Sequence, residues 1–198
     1  MSAEHLSQLS VALDATGQVI AAVGDAQWAG PTPCTDWVVR DLVRHVVAGN
    51  NGFATAVDGK PRPAIDEAAP ADADLPRAYR DSGAALIEAF SQPGALERMV
   101  TIPIGLVPGV VALHLRVTEV LVHGWDVATA TWQPAEFPDD IAEAELAFTR
   151  GQLAHIPPGR TPFAPPQPVA DDAPAIQRLV ACLGRDVSPP AATQEPTR

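Results

Sequence analysis

The sequence predicts an all-α fold: a four-helix bundle with a short β-hairpin or extended segment before the fourth long helix and a small C-terminal appendage. Three observations support this prediction. Apolar residues recur at helical intervals in several long segments. Proline and glycine separate these segments. β-Branched residues next to Gly and Pro concentrate in residues 99–109, where they indicate extended structure. Helices of this kind bury their apolar stripes by packing together as a bundle.

Each helix is marked by its apolar spacing and by the residues that begin or end it. In the first helix, Leu6, Leu9 and Leu13 recur at helical intervals. The second follows a Pro-Thr-Pro-Cys break, after which Thr35 or Asp36 can cap its N-terminus. The predicted helices cover residues 4–24, 36–50, 74–91, 110–131 and 138–154, followed by a short helix over 173–183.

The chain divides into three parts on this basis. Residues 1–156 form the helical bundle, in which residues 58–76 are expected to be an exposed loop rich in Asp, Ala and Pro. Residues 157–187 hold a proline-rich segment and a short helix that docks back on the bundle. Residues 188–198 are expected to be a disordered tail.

Composition narrows the location and the partners. The formal net charge is −11, so nucleic acid and anionic membranes are poor partners. We find no apolar run of membrane-spanning length and no signal peptide, which predicts a cytoplasmic protein. The apolar helix faces permit a homodimer.

Cys34 and Cys182 are too distant in sequence to suggest a disulfide framework, and each is expected to be a small buried residue. Cys34 is also placed near a helix N-terminus, where a thiolate is favoured.

Helix four carries one polar stripe on an otherwise apolar surface. Intervals of three, four and three residues align the stripe on one face. Glu119 and His123 lie one turn apart, a spacing that lets two side chains bind one metal ion. The alternative is a solvated face with an Arg116–Glu119 ion pair. Asp126 either accepts a hydrogen bond from His123 or is a surface acid. The stripe consists of Arg116, Glu119, His123 and Asp126.

The second helix adds His45, which shares the apolar stripe of Val38, Leu42 and Gly49. A buried histidine needs a partner for each ring nitrogen. A lone histidine on such a face is more often a satisfied core residue than a ligand, but Glu119 and His123 change that balance. Two histidines and one carboxylate leave a coordination position free, as in catalytic zinc sites. The other histidines are expected at the surface or in packing: His5, His114 and His155.

Three motifs resemble the mycothiol-dependent maleylpyruvate isomerase family. The first comprises Trp28, the Pro-Thr-Pro-Cys-Thr-Asp-Trp segment that ends at Trp37, and the Val-Arg-Asp-Leu-Val-Arg-His segment that ends at His45. The second is Arg-Val-Thr-Glu ending at Glu119, followed by Val-His-Gly-Trp-Asp ending at Asp126. The third, over 171–186, is similar to the C-terminal signature of a largely uncharacterised subgroup.

The resemblance implies a DinB-like four-helix bundle that binds a divalent metal, with zinc expected, through His45, Glu119 and His123. Asp126 and Arg116 would lie behind these ligands. It also implies a low-molecular-weight thiol such as mycothiol as cosubstrate, held as a thiolate that attacks a small electrophile. Addition followed by elimination would isomerise a double bond, and displacement would be thiol transfer.

One departure from the family affects the predicted reaction. The isomerase carries a further C-terminal domain that contributes to substrate binding, whereas here only the proline-rich segment, a short helix and a tail follow helix five. Arg116, Arg178 and Arg185 are available for a dicarboxylate, but the sequence does not place them. Thiol transfer or another thiol-dependent reaction is therefore preferred to maleylpyruvate isomerisation. Two alternatives stay open: a bundle that binds a metal or small ligand without turnover, and a structural protein without metal.

Overall fold

The computed structural model describes residues 2–60, 71–156, 161 and 163–187. It is mostly helical with one two-stranded hairpin, so the predicted fold class is confirmed. The helices are α1 (Ser2–Ala21), α2 (Val39–Val57), α3 (Leu75–Phe90), α4 (Gly109–Ala130), α5 (Asp139–Leu153) and α6 (Ala175–Cys182), and the strands are β1 (Met99–Ile102) and β2 (Gly105–Pro108).

The first four helices form the bundle. α2 packs against α3 and α4, and α1 packs against α4 and α3. α4 lies at the centre of the core and is buried on most of its circumference, which explains its nearly continuous apolar sequence. Helix packing of this kind buries enough apolar area to stabilise the bundle and leaves inward-facing side chains available for a site.

The second helix differs from the prediction at both ends. Thr35 and Asp36 do not cap it: the N-cap is Val38, without a side-chain hydrogen bond. The cause is the preceding loop, where Pro31 and Val38 form a β-bridge and the Thr32 hydroxyl donates to backbone carbonyls within the loop. These contacts hold the chain extended up to Val38. At the other end the helix continues beyond residue 50, because its last two turns also bury apolar side chains.

The hairpin positions the start of α4. Its strands are antiparallel, with Met99 opposite Pro108 and Ile102 opposite Gly105. The first residue of α4, Gly109, donates its backbone N–H to the Arg98 carbonyl at 2.8 Å. A side chain there is excluded, since a Cβ atom would lie 1.9 Å from the Ala95 carbonyl oxygen. The predicted extended segment is therefore present as a hairpin that is closely packed against the start of α4.

The appendage docks through α6, which packs on α5 and α4. The Asp139 carboxylate accepts a hydrogen bond at 2.7 Å from the backbone N–H of Ala175, the first residue of α6. The predicted tail over 188–198, the centre of the predicted loop at 61–70 and part of the proline-rich segment lie outside the described residues. Within the part of the chain that is described, no helix is both long and apolar enough to cross a bilayer.

Candidate metal centre

The polar stripe of α4 faces the interior of the bundle. Arg116 and Asp126 are fully buried and His123 is nearly so, whereas the Glu119 side chain is 41% exposed. The interpretation as a solvated face is therefore wrong, although the Arg116–Glu119 ion pair that it included is present. The stripe instead borders a space between α4 and α2.

Asp126 fixes the histidine of this stripe. His123 Nδ1 lies 3.0 Å from Asp126 Oδ2. Burial alone would raise the pKa of Asp126, but the hydrogen bond with His123 and the positive charge of Arg185 outweigh it, so the pKa is lowered. An ionised carboxylate only accepts hydrogen bonds, so Nδ1 is the donor in this contact. This is the arrangement found behind metal-bound histidines.

His45 of α2 meets His123 across the space between the helices. The two ring centroids are 5.3 Å apart and the rings are nearly perpendicular, at 89°. Trp37 lies against both, with its ring centroid 4.5 Å from that of His45. Burial and the neighbouring His123 lower the pKa of His45, while Glu119 acts in the opposite direction. A neutral His45 has a lone pair available to bind a metal ion.

A buried arginine holds Glu119. Arg116 Nη1 donates to Glu119 Oε2 at 2.7 Å, and the guanidinium lies over the Phe53 ring. The side chain passes so close to α2 that a Cβ on Gly49 would be 2.1 Å from Nη1. Gly49 is thus required for Arg116 to lie in this position. Burial lowers the pKa of Arg116, and the Glu119 carboxylate opposes that change.

A second cluster lies on the other side of His123. Cys34, His123 and Asp126 each offer one ligand atom, all within 4.8 Å of one another. Arg185 already occupies this cluster: its Nη2 lies 3.1 Å from Asp126 Oδ2 and 3.4 Å from Cys34 Sγ. The positive charge that a metal ion would bring is therefore supplied by a guanidinium.

The expectation that Cys34 favours the thiolate is wrong. Cys34 lies in the loop before α2 rather than at the helix N-terminus. Burial and the adjacent Asp126 carboxylate raise the pKa of its thiol to about 11, and Arg185 only partly offsets them. Without a bound metal ion, the thiol is therefore protonated at neutral pH.

The two candidate donor sets share His123, but they differ in what must change before they could bind a metal ion. The set of Cys34, His123 and Asp126 would have to displace Arg185 and ionise a protonated thiol. The set of His45, Glu119 and His123 needs neither change. Two imidazoles bound to one tetrahedral ion, through nitrogen atoms about 2.0–2.1 Å from it, have ring centroids roughly 5 Å apart, which the two histidines match. Among the described residues, however, the ligand atoms that all lie within 4.8 Å of one another are those of Cys34, His123 and Asp126, and the atoms of His45, Glu119 and His123 do not form such a group.

The other candidates lie away from this space. His114 pairs with Glu145 on α5, and His155 is exposed beyond the end of α5. Arg178 pairs with Glu143 on the outside of the appendage. Sequence reasoning did not place Arg185 behind His123. The available signal was Gly184, whose position directly after a short helix indicates a turn that redirects the next residue.

The model of the mycothiol maleylpyruvate isomerase N-terminal domain family matches residues 9–128. The chain belongs to this family. The matched range includes His45, Glu119 and His123, whereas α5 and α6 lie beyond it.

Relatives of this family member are known in sequence and in structure. Two proteins of Mycobacterium tuberculosis, from two strains, are 36% identical over 179 residues, covering 89% of this chain and 94% of theirs; they are named Uncharacterized protein MT0763 and Uncharacterized protein Rv0738. Crystal structures of the mycothiol-dependent maleylpyruvate isomerase and of a histidine-to-alanine mutant of it match with a TM-score of 0.56 and 19% identity, over 74% of this chain and 68% of theirs. At this identity the likeness concerns the fold, and it confirms the DinB-like bundle.

Proposed function

We propose that this protein binds a divalent metal ion through His45, Glu119 and His123 and uses it in a reaction between a low-molecular-weight thiol and a small electrophile. The expected metal is zinc and the expected thiol resembles mycothiol. Family membership supports the involvement of a thiol. The proposal includes action in the cytoplasm on small molecules, without nucleic acid or membrane partners. A homodimer is compatible with it.

One observation carries the proposal. His123 turns Nδ1 toward Asp126, and its ring lies nearly perpendicular to that of His45, with the two ring centroids 5.3 Å apart. The half-exposed Glu119 carboxylate borders the space between α4 and α2 and acts on the charge of His45. These three side chains belong to two facing helices, the kind of arrangement from which bundle folds build metal sites.

The residues around this position have distinct roles in the proposed chemistry. A divalent ion held there would deprotonate a thiol that coordinates it. Two neutral imidazoles and one carboxylate leave positive charge on the ion, which favours an anionic thiolate. Asp126 accepts the hydrogen bond from His123 Nδ1, Arg116 holds the Glu119 carboxylate, and Trp37 packs beside both imidazoles.

The arginines favour thiol transfer over maleylpyruvate isomerisation. A dicarboxylate would be bound well by unpaired, bidentate arginines. Each of the three arginines considered for this role already pairs with a carboxylate of the chain: Arg116 with Glu119, Arg178 with Glu143, and Arg185 with Asp126. A neutral electrophile would not require any of them to change partner.

The test uses the untagged full chain loaded with zinc. Bound zinc is measured by elemental mass spectrometry, and consumption of mycothiol is followed with an aryl halide as a generic electrophile. We expect about one zinc ion per chain and thiol conjugation that stops when a chelator removes the metal. His45→Ala and Glu119→Ala should lose both, whereas His155→Ala, which removes an exposed histidine, should lose neither.

The outcomes separate the alternatives. Zinc binding without conjugation of any electrophile would indicate a bundle that binds a metal or small ligand without turnover. A wild-type chain that takes up no zinc would contradict the proposed site. Conjugation that persists in the metal-free chain would contradict the role of the metal.

A further inference from the structure

The last described residues return to the metal centre because of how α6 ends. Gly184 adopts a left-handed conformation, with φ +87°. Its N–H donates to the Ala181 carbonyl, and the N–H of Arg185 donates to the Val180 carbonyl at 3.0 Å. This pattern is a Schellman turn, in which glycine provides the left-handed residue. The turn reverses the chain and directs Arg185 back toward α4.

The appendage also holds this turn in place. Leu179 and Val180 are fully buried against the bundle. Gly184 packs so tightly that a Cβ would lie 2.6 Å from Ala164 Cβ in the segment before α6. Arg185 donates from Nη1 to the Leu183 carbonyl at 3.1 Å, so its side chain is fixed to its own turn. The guanidinium is therefore preorganised.

Arg185 binds both oxygens of the carboxylate that supports His123. Its Nε lies 3.3 Å from Asp126 Oδ1 and its Nη2 lies 3.1 Å from Oδ2. Oδ2 is also the atom that accepts the hydrogen bond from His123 Nδ1. Asp126 is fully buried and the Arg185 side chain is 12% exposed, so solvent screens their interaction little. Two contacts from one planar group leave the carboxylate a single orientation.

We propose that Arg185 is a positioning residue of the metal centre, which acts through Asp126 to fix the orientation and the Nδ1–H form of His123. The C-terminal segment thereby completes a site whose ligands all come from the range that the family model matches. The role in metal binding rests on the proposed function, but the effect on His123 does not require a metal. Removal of the arginine would leave the Asp126 carboxylate free to turn away from the imidazole.

A metal-independent measurement tests the effect on His123. In the full chain treated with chelator, nitrogen NMR of labelled histidine reports which ring nitrogen carries the proton. We expect His123 to be in the Nδ1–H form in the wild type and in a mixture of forms in Arg185→Gln. Arg185→Lys keeps the charge but not the planar fork and should restore the signal only in part. Arg178→Gln removes an arginine of α6, the helix that precedes Arg185; this arginine pairs with Glu143, and its loss should leave the His123 signal unchanged.

Zinc competition with a chelator gives the second measurement. We expect Arg185→Gln to weaken zinc binding by roughly 10- to 100-fold, the range for residues behind metal-bound histidines, and Arg178→Gln to leave it unchanged. A wild-type His123 signal in Arg185→Gln and in Arg185→Lys would overturn the inference, whatever the metal content. A wild type that takes up no zinc but shows the expected His123 change would contradict the proposed function and support this inference.

Discussion

The molecule holds two histidine–carboxylate pairs on α4, and they differ in what surrounds them. His123 Nδ1 lies 3.0 Å from Asp126, and His114 Nδ1 lies 2.8 Å from Glu145. Both carboxylates are almost completely buried. One pair faces α2 and the other faces α5. A pairing of this kind therefore does not by itself identify a candidate metal site.

The surroundings separate the two pairs. The second oxygen of Glu145 accepts a hydrogen bond from Thr118 at 2.9 Å, and the His114 ring stacks on Phe148. The pair is thus satisfied by neutral partners and an aromatic ring. His114 also meets a second histidine, His5 of α1, with ring centroids 5.4 Å apart and an interplanar angle of 86°. His123 meets His45 in nearly the same way, at 5.3 Å and 89°, but there a further carboxylate, that of Glu119, acts on the pKa of His45. The additional carboxylate, rather than the facing imidazole or the histidine–carboxylate contact, distinguishes the candidate metal centre from a packing contact.

Loss of either histidine gives the largest expected contrast. His123→Ala removes a ligand, so zinc affinity should fall by more than the roughly 10- to 100-fold expected for residues behind a ligand. His114→Ala removes a histidine of the same helix that is engaged with α5, and its zinc affinity should equal that of the wild type. Isothermal titration of both variants provides the measurement. Equal losses in the two variants would remove the distinction between the pairs.

The carboxylates should differ in their effect on stability. Asp126→Ala leaves the largely buried Arg185 guanidinium without its partner, which is expected to cost about 3–5 kcal/mol of the free energy of unfolding. Glu145→Ala leaves His114, which can be neutral, and the Thr118 hydroxyl without their shared partner. The expected loss in the free energy of unfolding is about 1–3 kcal/mol. Urea denaturation of the metal-free variants measures both. The reverse order would show that the α5 pair contributes the greater electrostatic stabilisation.

A methyl group on α2 tests the support behind Glu119. Gly49→Ala places a Cβ against Arg116 Nη1, so the guanidinium must shift. We expect a loss of about 1–3 kcal/mol of stability and weaker zinc binding. Gly52→Ala is the matched control, because a Cβ there meets nothing within 4 Å. The control should gain up to about 1 kcal/mol from helix propensity. Similar behaviour of the two variants, by thermal melting and zinc titration, would argue against a close fit of Arg116.

The smallest effect concerns the hydroxyl behind His114. Thr118→Val removes the hydrogen bond to Glu145 Oε2 and keeps the branched shape, for an expected loss of about 0.5–1.5 kcal/mol. Zinc affinity should not change. Thr129→Val alters an exposed threonine of the same helix and serves as the reference. Weaker zinc binding in Thr118→Val alone would indicate that the α5 pair is coupled to the metal centre.

Helical spacing predicted that the polar side chains of α4 share one face, and Arg116, His123 and Asp126 of that stripe are buried. That His45, Glu119 and His123 bind a metal ion stays a prediction. Helical spacing could not predict the tertiary contacts between elements that are distant in sequence. The start of α2 depends on a bridge between Pro31 and Val38, and the burial of Arg116 depends on Gly49 of another helix.

The place of Arg185 was beyond sequence reasoning for a similar reason. It pairs with Asp126, 59 positions earlier. The turn at Gly184 brings Arg185 to Asp126 only because α6 is docked on the bundle. The state of Cys34 was mispredicted because its pKa follows from burial and from Asp126, neither of which is visible in the local sequence.

Cobalt substitution tests the central claim most directly, because the absorption spectrum of Co²⁺ reports its ligands. We expect one Co²⁺ per chain with visible bands of a site of nitrogen and oxygen ligands and without the intense near-ultraviolet band of a cobalt–thiolate bond. These bands should disappear in His45→Ala and persist in Cys34→Ser. A thiolate band that is lost in Cys34→Ser but retained in His45→Ala would place the metal at Cys34, His123 and Asp126 instead, and would contradict this account.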